Sequence, residues 1–296
     1  MRKIRLRRRA LTLFCALIAA PLFLTNTLTS TALAQDKMKA EEVVAKHLES
    51  LGTQAARARA SSRVAAGISR AVFKGRTGIG AIDGRTVLAS ENNKILFGMG
   101  FDNPDYVGEK FGFDGKKFTV GYLRPGERST LGSFILIHDT IFKEGLMSGV
   151  LSSAWPLLNL AERKPRLEYA GTDKIGDQPV HRLKYMPNKG SDLQISLYFD
   201  AKTFQHVRTL YERVAGAGFS GGGIDAQTKQ EARRFKMTED FSDFKEEGKL
   251  ILPHTYKLVL EIQNRQGTTI HKWDMSLDQF AFNQPIEEKS FNVEAN

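Results

Sequence analysis

A two-residue alternation of apolar and polar side chains runs through most of this chain and breaks down once, near its middle. Ile95, Phe97, Met99 and Phe101 alternate with Lys94, Leu96, Gly98 and Gly100. Phe111 and Phe113 repeat the pattern, Asp114-Gly115 supplies a hairpin turn, and Phe118 and Val120 resume it. Beyond residue 166 it returns, with strands expected over 167–175 and 180–185 on either side of Gly176-Asp177. Leu193, Ile195, Leu197 and Phe199 follow, then a tight connection over 200–204, then Val207, Thr209 and Tyr211 on one face. Further strands fit 232–244, 250–262 and 268–280, with Glu247-Gly248 as a turn and 216–223 as a glycine-rich hairpin loop. Successive strand side chains point to opposite faces, so a chain patterned this way lays one apolar face on a core.

The interruption covers residues 127–161. It lacks alternation, is rich in Leu, Ile, Phe, Met and Trp, and reads as two or three short helices. Ser129 can cap the first, and Gly145, Gly149 and Pro156 punctuate the rest. Asp139 and Lys143 interrupt its apolar character, so it is no membrane span. Residues 37–51 read as another helix, with Val43, Val44, His47, Leu48 and Leu51 at helical spacing and Gly52 at its stop. The sum predicts a mainly β (α+β) fold. It is a single, strongly curved antiparallel sheet or incomplete β-barrel of about ten strands, with an N-terminal helix and a mid-chain helical lid.

The N-terminus predicts export. Arg2, Lys3, Arg5, Arg7, Arg8 and Arg9 precede an apolar run, and a polar stretch then leads to Ala32-Leu33-Ala34. Positive, apolar and small-residue regions in that order make a cleavable signal peptide over residues 1–34, cut between Ala34 and Gln35. The apolar run is shorter than the roughly 20 residues a membrane anchor needs. Cys15 lies inside it behind Phe14, where a lipidation signal wants small residues. Cleavage removes six of the 43 basic residues, leaving 37 against 33 acidic ones, a net charge of +4 rather than +10. So small an excess gives no support for nucleic-acid binding. The single cysteine also goes, and with it disulfides, a thiol nucleophile and thiolate metal ligands. Residues 35–296 then form one periplasmic domain, without internal repeat or linker.

Chemical motifs are scarce. His47, His138, His181, His206, His254 and His271 are isolated, and no pair has helical zinc-site spacing. Ser148, within Gly145–Gly149, falls one place too late for a nucleophile elbow. Gly78, Gly80 and Gly84 match no dinucleotide loop, and Gly221, Gly222 and Gly223 precede no helix that could hold phosphate. Asp240, Asp243, Glu246 and Glu247 read as solvated strand ends that discourage edge-to-edge pairing. The expectation is a protein with no catalytic residues, no metal and no cofactor.

What remains is the apolar interruption. Leu131, Phe134, Ile135, Ile141, Phe142, Leu146, Met147, Trp155 and Leu158 exceed what one stripe on a short helix requires. Either these helices plug the sheet as ordinary core, or they form a lid over an apolar pocket whose floor includes Phe97, Met99 and Phe101. Met and large aromatics suit acyl chains of variable shape.

Three local stretches carry a family resemblance. Residues 40–52, followed by Ser62-Arg63-Val64 and Gly67, look like an opening helix and first strand. Residues 198–208 contain Asp200-Ala201-Lys202-Thr203 followed by Val207-Arg208. Residues 241–253 end in Gly248-Lys249-Leu250-Ile251-Leu252-Pro253. Together they resemble the periplasmic outer-membrane lipoprotein-carrier superfamily, LolA and LolB with their relatives, over most of the chain. The resemblance implies an incomplete barrel capped by helices around an apolar cavity. It implies a monomeric, non-enzymatic carrier of lipid or lipoprotein acyl chains in transport and outer-membrane biogenesis. Its alternative implication is an envelope-stress sensor or adaptor that binds a protein partner.

Overall fold

Residues 38–74, 80–215, 233–265 and 267–294 are described by a computed structural model. The expected signal peptide with its Ala34–Gln35 cleavage site, and the expected loop over 216–223, lie outside these residues.

The chain enters through α1 (Ala40–Leu51) and α2 (Gln54–Arg59). Five strands follow as a meander: β1 (Ser62–Lys74), β2 (Gly80–Glu91), β3 (Lys94–Phe101), β4 (Gly108–Phe113) and β5 (Phe118–Val120). After the helical interruption come seven more. They are β6 (Arg166–Ile175), β7 (Gln178–Met186), β8 (Gln194–Asp200), β9 (His206–Ala215), β10 (Arg233–Glu247), β11 (Leu250–Asn264) and β12 (Gly267–Phe282). The last strand returns to pair with the first, giving one antiparallel sheet ordered β5-β4-β3-β2-β1-β12-β11-β10-β9-β8-β7-β6. Its edges, β5 and β6, do not pair, so the barrel stays open. Those are the strands that flank the helical interruption, which therefore runs from one edge to the other.

The sheet is curved, and side-chain contacts demonstrate it. Phe97 on β3 and Tyr256 on β11 lie four strand positions apart, which is about 19 Å across a flat sheet. Their ring centroids are 6.2 Å apart, and both side chains are fully buried. At the seam, the β1–β12 register shifts between Ala66 and Gly67. A Cβ at Gly67 would stand 1.9 Å from the Ser276 carbonyl oxygen, so only glycine admits this close approach.

Twelve strands stand where about ten were expected. The undercounted stretch is β1 and β2, where small Ala65 and Ala71 face inward while Ile68 and Val87 face solvent. An outward Ile and an inward Ala erase the alternation that marks a strand. The opening helix begins at Ala40, not at residue 37, because Lys39 is extended (φ −91°, ψ 156°). Its buried face is Val43, Val44, His47 and Leu51. Helix α2, capped by Thr53, was not foreseen.

The interruption resolves into five pieces rather than two or three: α3 (Thr130–Ile137), α4 (Thr140–Lys143), 3-10 turns at Gly149–Leu151 and Pro156–Asn159, and α5 (Leu160–Arg163). Ser129 caps α3 by accepting from the Gly132 amide at 2.6 Å. Left-handed residues Gly145, Ser148 and Gly149 break the chain between pieces. No described helix is long and apolar enough to cross a membrane.

Replacing Phe97 by Ala should cost about 3–5 kcal/mol, because the concave core cannot collapse around the void. Ile68→Ala on the solvent face, where Ile68 is 67% exposed, should fall within about 0.5 kcal/mol of wild type. Urea unfolding of both variants checks the assignment of faces.

Candidate functional site

Eleven of the twelve apolar residues singled out above are buried in one cluster, and Leu158 packs against it. Phe97, Met99 and Phe101 project inward from β3. Leu131, Phe134 and Ile135 descend from α3, Ile141 and Phe142 from α4, and Leu146, Met147 and Trp155 from the connections beyond. Phe142 sits 5.6 Å from Phe111 and 4.7 Å from Phe118, ring to ring. Phe134 stacks on Phe235 at 5.8 Å. The side chains of the interruption thus fill the concave face, the packing expected if the helices plug the sheet as core.

Polar side chains fasten this apolar underside. Glu239 on β10 is fully buried. Its Oε1 accepts from the Ser148 amide (2.7 Å) and the Tyr256 hydroxyl (2.6 Å), and its Oε2 from the Tyr211 hydroxyl (2.7 Å). Ser148 adopts left-handed backbone (φ 66°) beside this carboxylate. Glu109 on β4 fastens the other end. Its Oε2 accepts from the Ser129 hydroxyl (2.7 Å) and its Oε1 from the Tyr106 hydroxyl (2.6 Å), which in turn accepts from the Trp273 indole N–H (2.8 Å). Further ties run from Arg63 Nη1 to the Val150 carbonyl (2.7 Å), from the Ser153 amide to Ser90 Oγ (2.8 Å), and from the Tyr185 hydroxyl to Glu144 (2.7 Å).

Burial pushes both carboxyls up to about 7, against hydrogen-bond donors that favour the charged form. Neither glutamate was singled out in the sequence. A signal was present, since Glu239 shares the inward register of Met237 and Phe241, and Glu109 that of Phe111 and Phe113. The carboxylates that were singled out lie elsewhere. Asp243 and Glu246 are exposed as expected, but Asp240 is half-buried in mid-strand and paired with Arg208, Nε to Oδ1 at 2.5 Å.

Two histidines isolated in sequence meet in space. His47 on α1 and His206 on β9 have ring centroids 6.2 Å apart, and Trp155 of the lid stacks on His206 at 4.5 Å. His47 Nε2 accepts from the Trp155 indole N–H at 3.1 Å, which leaves the proton on Nδ1, 3.1 Å from the Phe204 carbonyl. Burial pushes His47 down to about 4 and His206 well below the ordinary histidine value. Both rings act as neutral core groups. Gly149 lies against His206, where a Cβ would approach Nδ1 to 2.8 Å. Among the described residues, no three His, Cys, Asp or Glu side chains converge as a metal site.

At the tail of the lid a cleft of about 940 Å³ opens beside α2 and the start of β1. Trp155 and Leu158 reach its wall, but the other apolar candidates do not.

No protein-family model matches the chain, and no similar curated protein is found. Among solved structures it is similar to a LolA-superfamily protein from Nitrosomonas europaea. The two share 10% identity over 85% of this chain and 97% of that one, with a TM-score of 0.45. A putative outer membrane lipoprotein-sorting protein domain from Vibrio parahaemolyticus shares 15% identity over 86% and 97%, again with a TM-score of 0.45. The MucA/MucB complex of Pseudomonas aeruginosa shares 10% identity over 82% and 100%, with a TM-score of 0.23.

Glu239 gives a pH signature with a definite sign. An unfolded chain loses this proton near 4.5, while the folded chain keeps it to about 7. Stability from this group is therefore present at low pH and lost as pH rises through that window. Glu239→Gln, neutral throughout, should gain on wild type between pH 4.5 and 7, by on the order of 3 kcal/mol at the plateau. His47 and His206 act in the opposite sense over a similar range. The informative measurement is therefore the variant minus wild-type difference in denaturant unfolding. A difference that is flat with pH would refute a raised Glu239.

Proposed function

We propose that this chain is a non-enzymatic periplasmic carrier for lipid, or for the acyl chains of a lipoprotein, held between the curved sheet and the helical lid. The carrying observation is the division of labour in the lid. Its underside is apolar and continuous with the sheet's concave face, while discrete hydrogen bonds to Glu109, Glu239, Arg63 and Ser90 fasten it. Hydrophobic burial is non-directional, so acyl chains can replace the lid's side chains against the same surface. Each buried methylene contributes about 0.8 kcal/mol. Because the closed lid fills its own site, cargo competes with Phe134, Phe142 and Met147, and binding is reversible by construction. Basic, apolar and small residues in signal order at the N-terminus support export before this work begins.

Native mass spectrometry of gently purified protein should show co-purifying lipid, and a fluorescent fatty acid should bind saturably. Failure of both would sink the carrier reading, and a stoichiometric protein partner in their place would favour an adaptor role. A lock on the lid tests the mechanism. Ser153 meets Ser90 across the lid edge, and Cys15 is the chain's one cysteine. The oxidised S90C/S153C pair should abolish fatty-acid uptake, and reduction should restore it. Equal uptake in both states would show that the lid does not gate the site. Sequencing the exported protein should return Gln35 as its first residue.

A further inference from the structure

The cleft at the tail of the lid has a charge pattern that the acyl-carrier reading does not use. Five cations line it: Arg57, Arg63, Lys143, Arg163 and Lys189. Against them stand two acids, Glu144, which accepts from the Tyr185 hydroxyl, and Glu162, which accepts from the Asn159 amide in the same cleft, so cations outnumber acids. Lys143 is paired with Asp139.

The three arginines are different. Among the described residues none of them forms a salt bridge, although Glu49 acts on Arg57 from a greater distance, and each spends its donors on backbone carbonyls. Arg57 Nη1 donates to the carbonyls of Leu48 and Gly52. Arg163 donates from Nη1 to Lys143 (3.0 Å) and from Nη2 to Ala154 (3.2 Å). Arg63 is 2% exposed, yet its Nε and Nη2 have no hydrogen-bond partner at all. Buried charges are ordinarily paired, because an uncompensated one bears its full desolvation penalty. That penalty is visible as a guanidinium pushed down to about 10 by burial alone. Carbonyl anchoring fixes guanidinium planes in place without neutralising them, which is the arrangement that receives an anion bidentately.

The cleft is also too large for a bare ion. About 940 Å³ is the scale of a pocket for a sizeable organic ligand. Half-buried Leu48 and Leu158 give it an apolar side next to the cations, with Trp155 sealed behind them. We infer that this cleft is a subsite for a phosphate-bearing ligand, its phosphate held by Arg57 and Arg163 in front of the buried charge of Arg63 and the rest of the molecule lying against Leu48 and Leu158. The inference deepens the carrier reading by giving the cargo an anionic head, and it rests on that reading only for the acyl part. A phosphate monoester, with a charge near −2, answers this guanidinium cluster better than a singly charged carboxylate. A lipid headgroup and the free ion offer the same phosphate chemistry, and the experiment separates the two sources.

Calorimetry with the full mature chain should compare four probes: inorganic phosphate, dihexanoyl phosphatidic acid below its micelle concentration, hexanoic acid, and uncharged hexyl glucoside. Saturable binding of phosphatidic acid is expected, weakening as salt is raised. Arg163→Gln and the exposed Lys189→Gln should each weaken it, the arginine variant by at least about tenfold. Arg63→Met removes buried hydrogen bonds to the lid and is not relied on for folding, so circular dichroism screens every variant and the other two carry the test. Phosphatidic acid binding more tightly than phosphate supports a lipid headgroup, and equal affinities support the free ion. The subsite is overturned if hexyl glucoside binds as tightly as phosphatidic acid, or if folded Arg163→Gln binds phosphate and phosphatidic acid as wild type does. These outcomes are separable from the carrier reading. Hexanoic acid bound without any phosphate preference defeats the subsite and leaves the carrier intact. Phosphate bound without any acyl ligand does the reverse.

Discussion

Everything in this molecule follows from burying one concave apolar face of a sheet that curves without closing. A closed barrel would satisfy its own edges and fill its interior from the strands. Here β5 and β6 remain apart, so the interior must be filled from somewhere else. The chain supplies the filling from the segment that joins those two edges. Leu131, Ile135, Ile141, Phe142 and Leu146 are fully buried because the strands alone leave that volume unoccupied.

Filling by a separate segment has a consequence that filling by strands would not. A strand is held in its sheet by a ladder of backbone hydrogen bonds. The lid is held by apolar contact and by a small set of side-chain bonds. Two of those bonds end on buried glutamates, and each glutamate is also braced by tyrosine, Glu239 by Tyr211 and Tyr256 on the sheet and Glu109 by Tyr106 in the β3–β4 connection. The carboxylates fix where the lid sits, while the apolar surface supplies most of the attraction.

Much of the fold was legible beforehand. The hairpin turns at Asp114-Gly115, Gly176-Asp177 and Glu247-Gly248, the cap at Ser129 and the breaks at Gly145 and Gly149 are local chemistry, and local chemistry is written in adjacent residues. The helical interruption was legible for the same reason, as a change of period. The site was less so. Glu239 follows Thr238 and precedes Asp240, and one acid in a polar pair looks like its neighbour until the face it occupies is known. His47 and His206 are 159 positions apart, and no spacing rule links residues at that distance. The cationic cleft draws on α2, β1, the β2–β3 turn, the lid and the loop after β7, so no single stretch announces it.

The sequence by itself determined the β character, the single helical interruption and the apolar identity of both surfaces that meet in the core. These depend on periodicity and composition, which are properties of neighbouring residues. Only the tertiary structure decided that the interruption bridges the two sheet edges and that Glu109 and Glu239 face inward beneath it. Only it decided that three arginines anchored on backbone carbonyls share one cleft. Each of those facts needs residues brought together from distant positions, and it is the curvature of the sheet that brings them there.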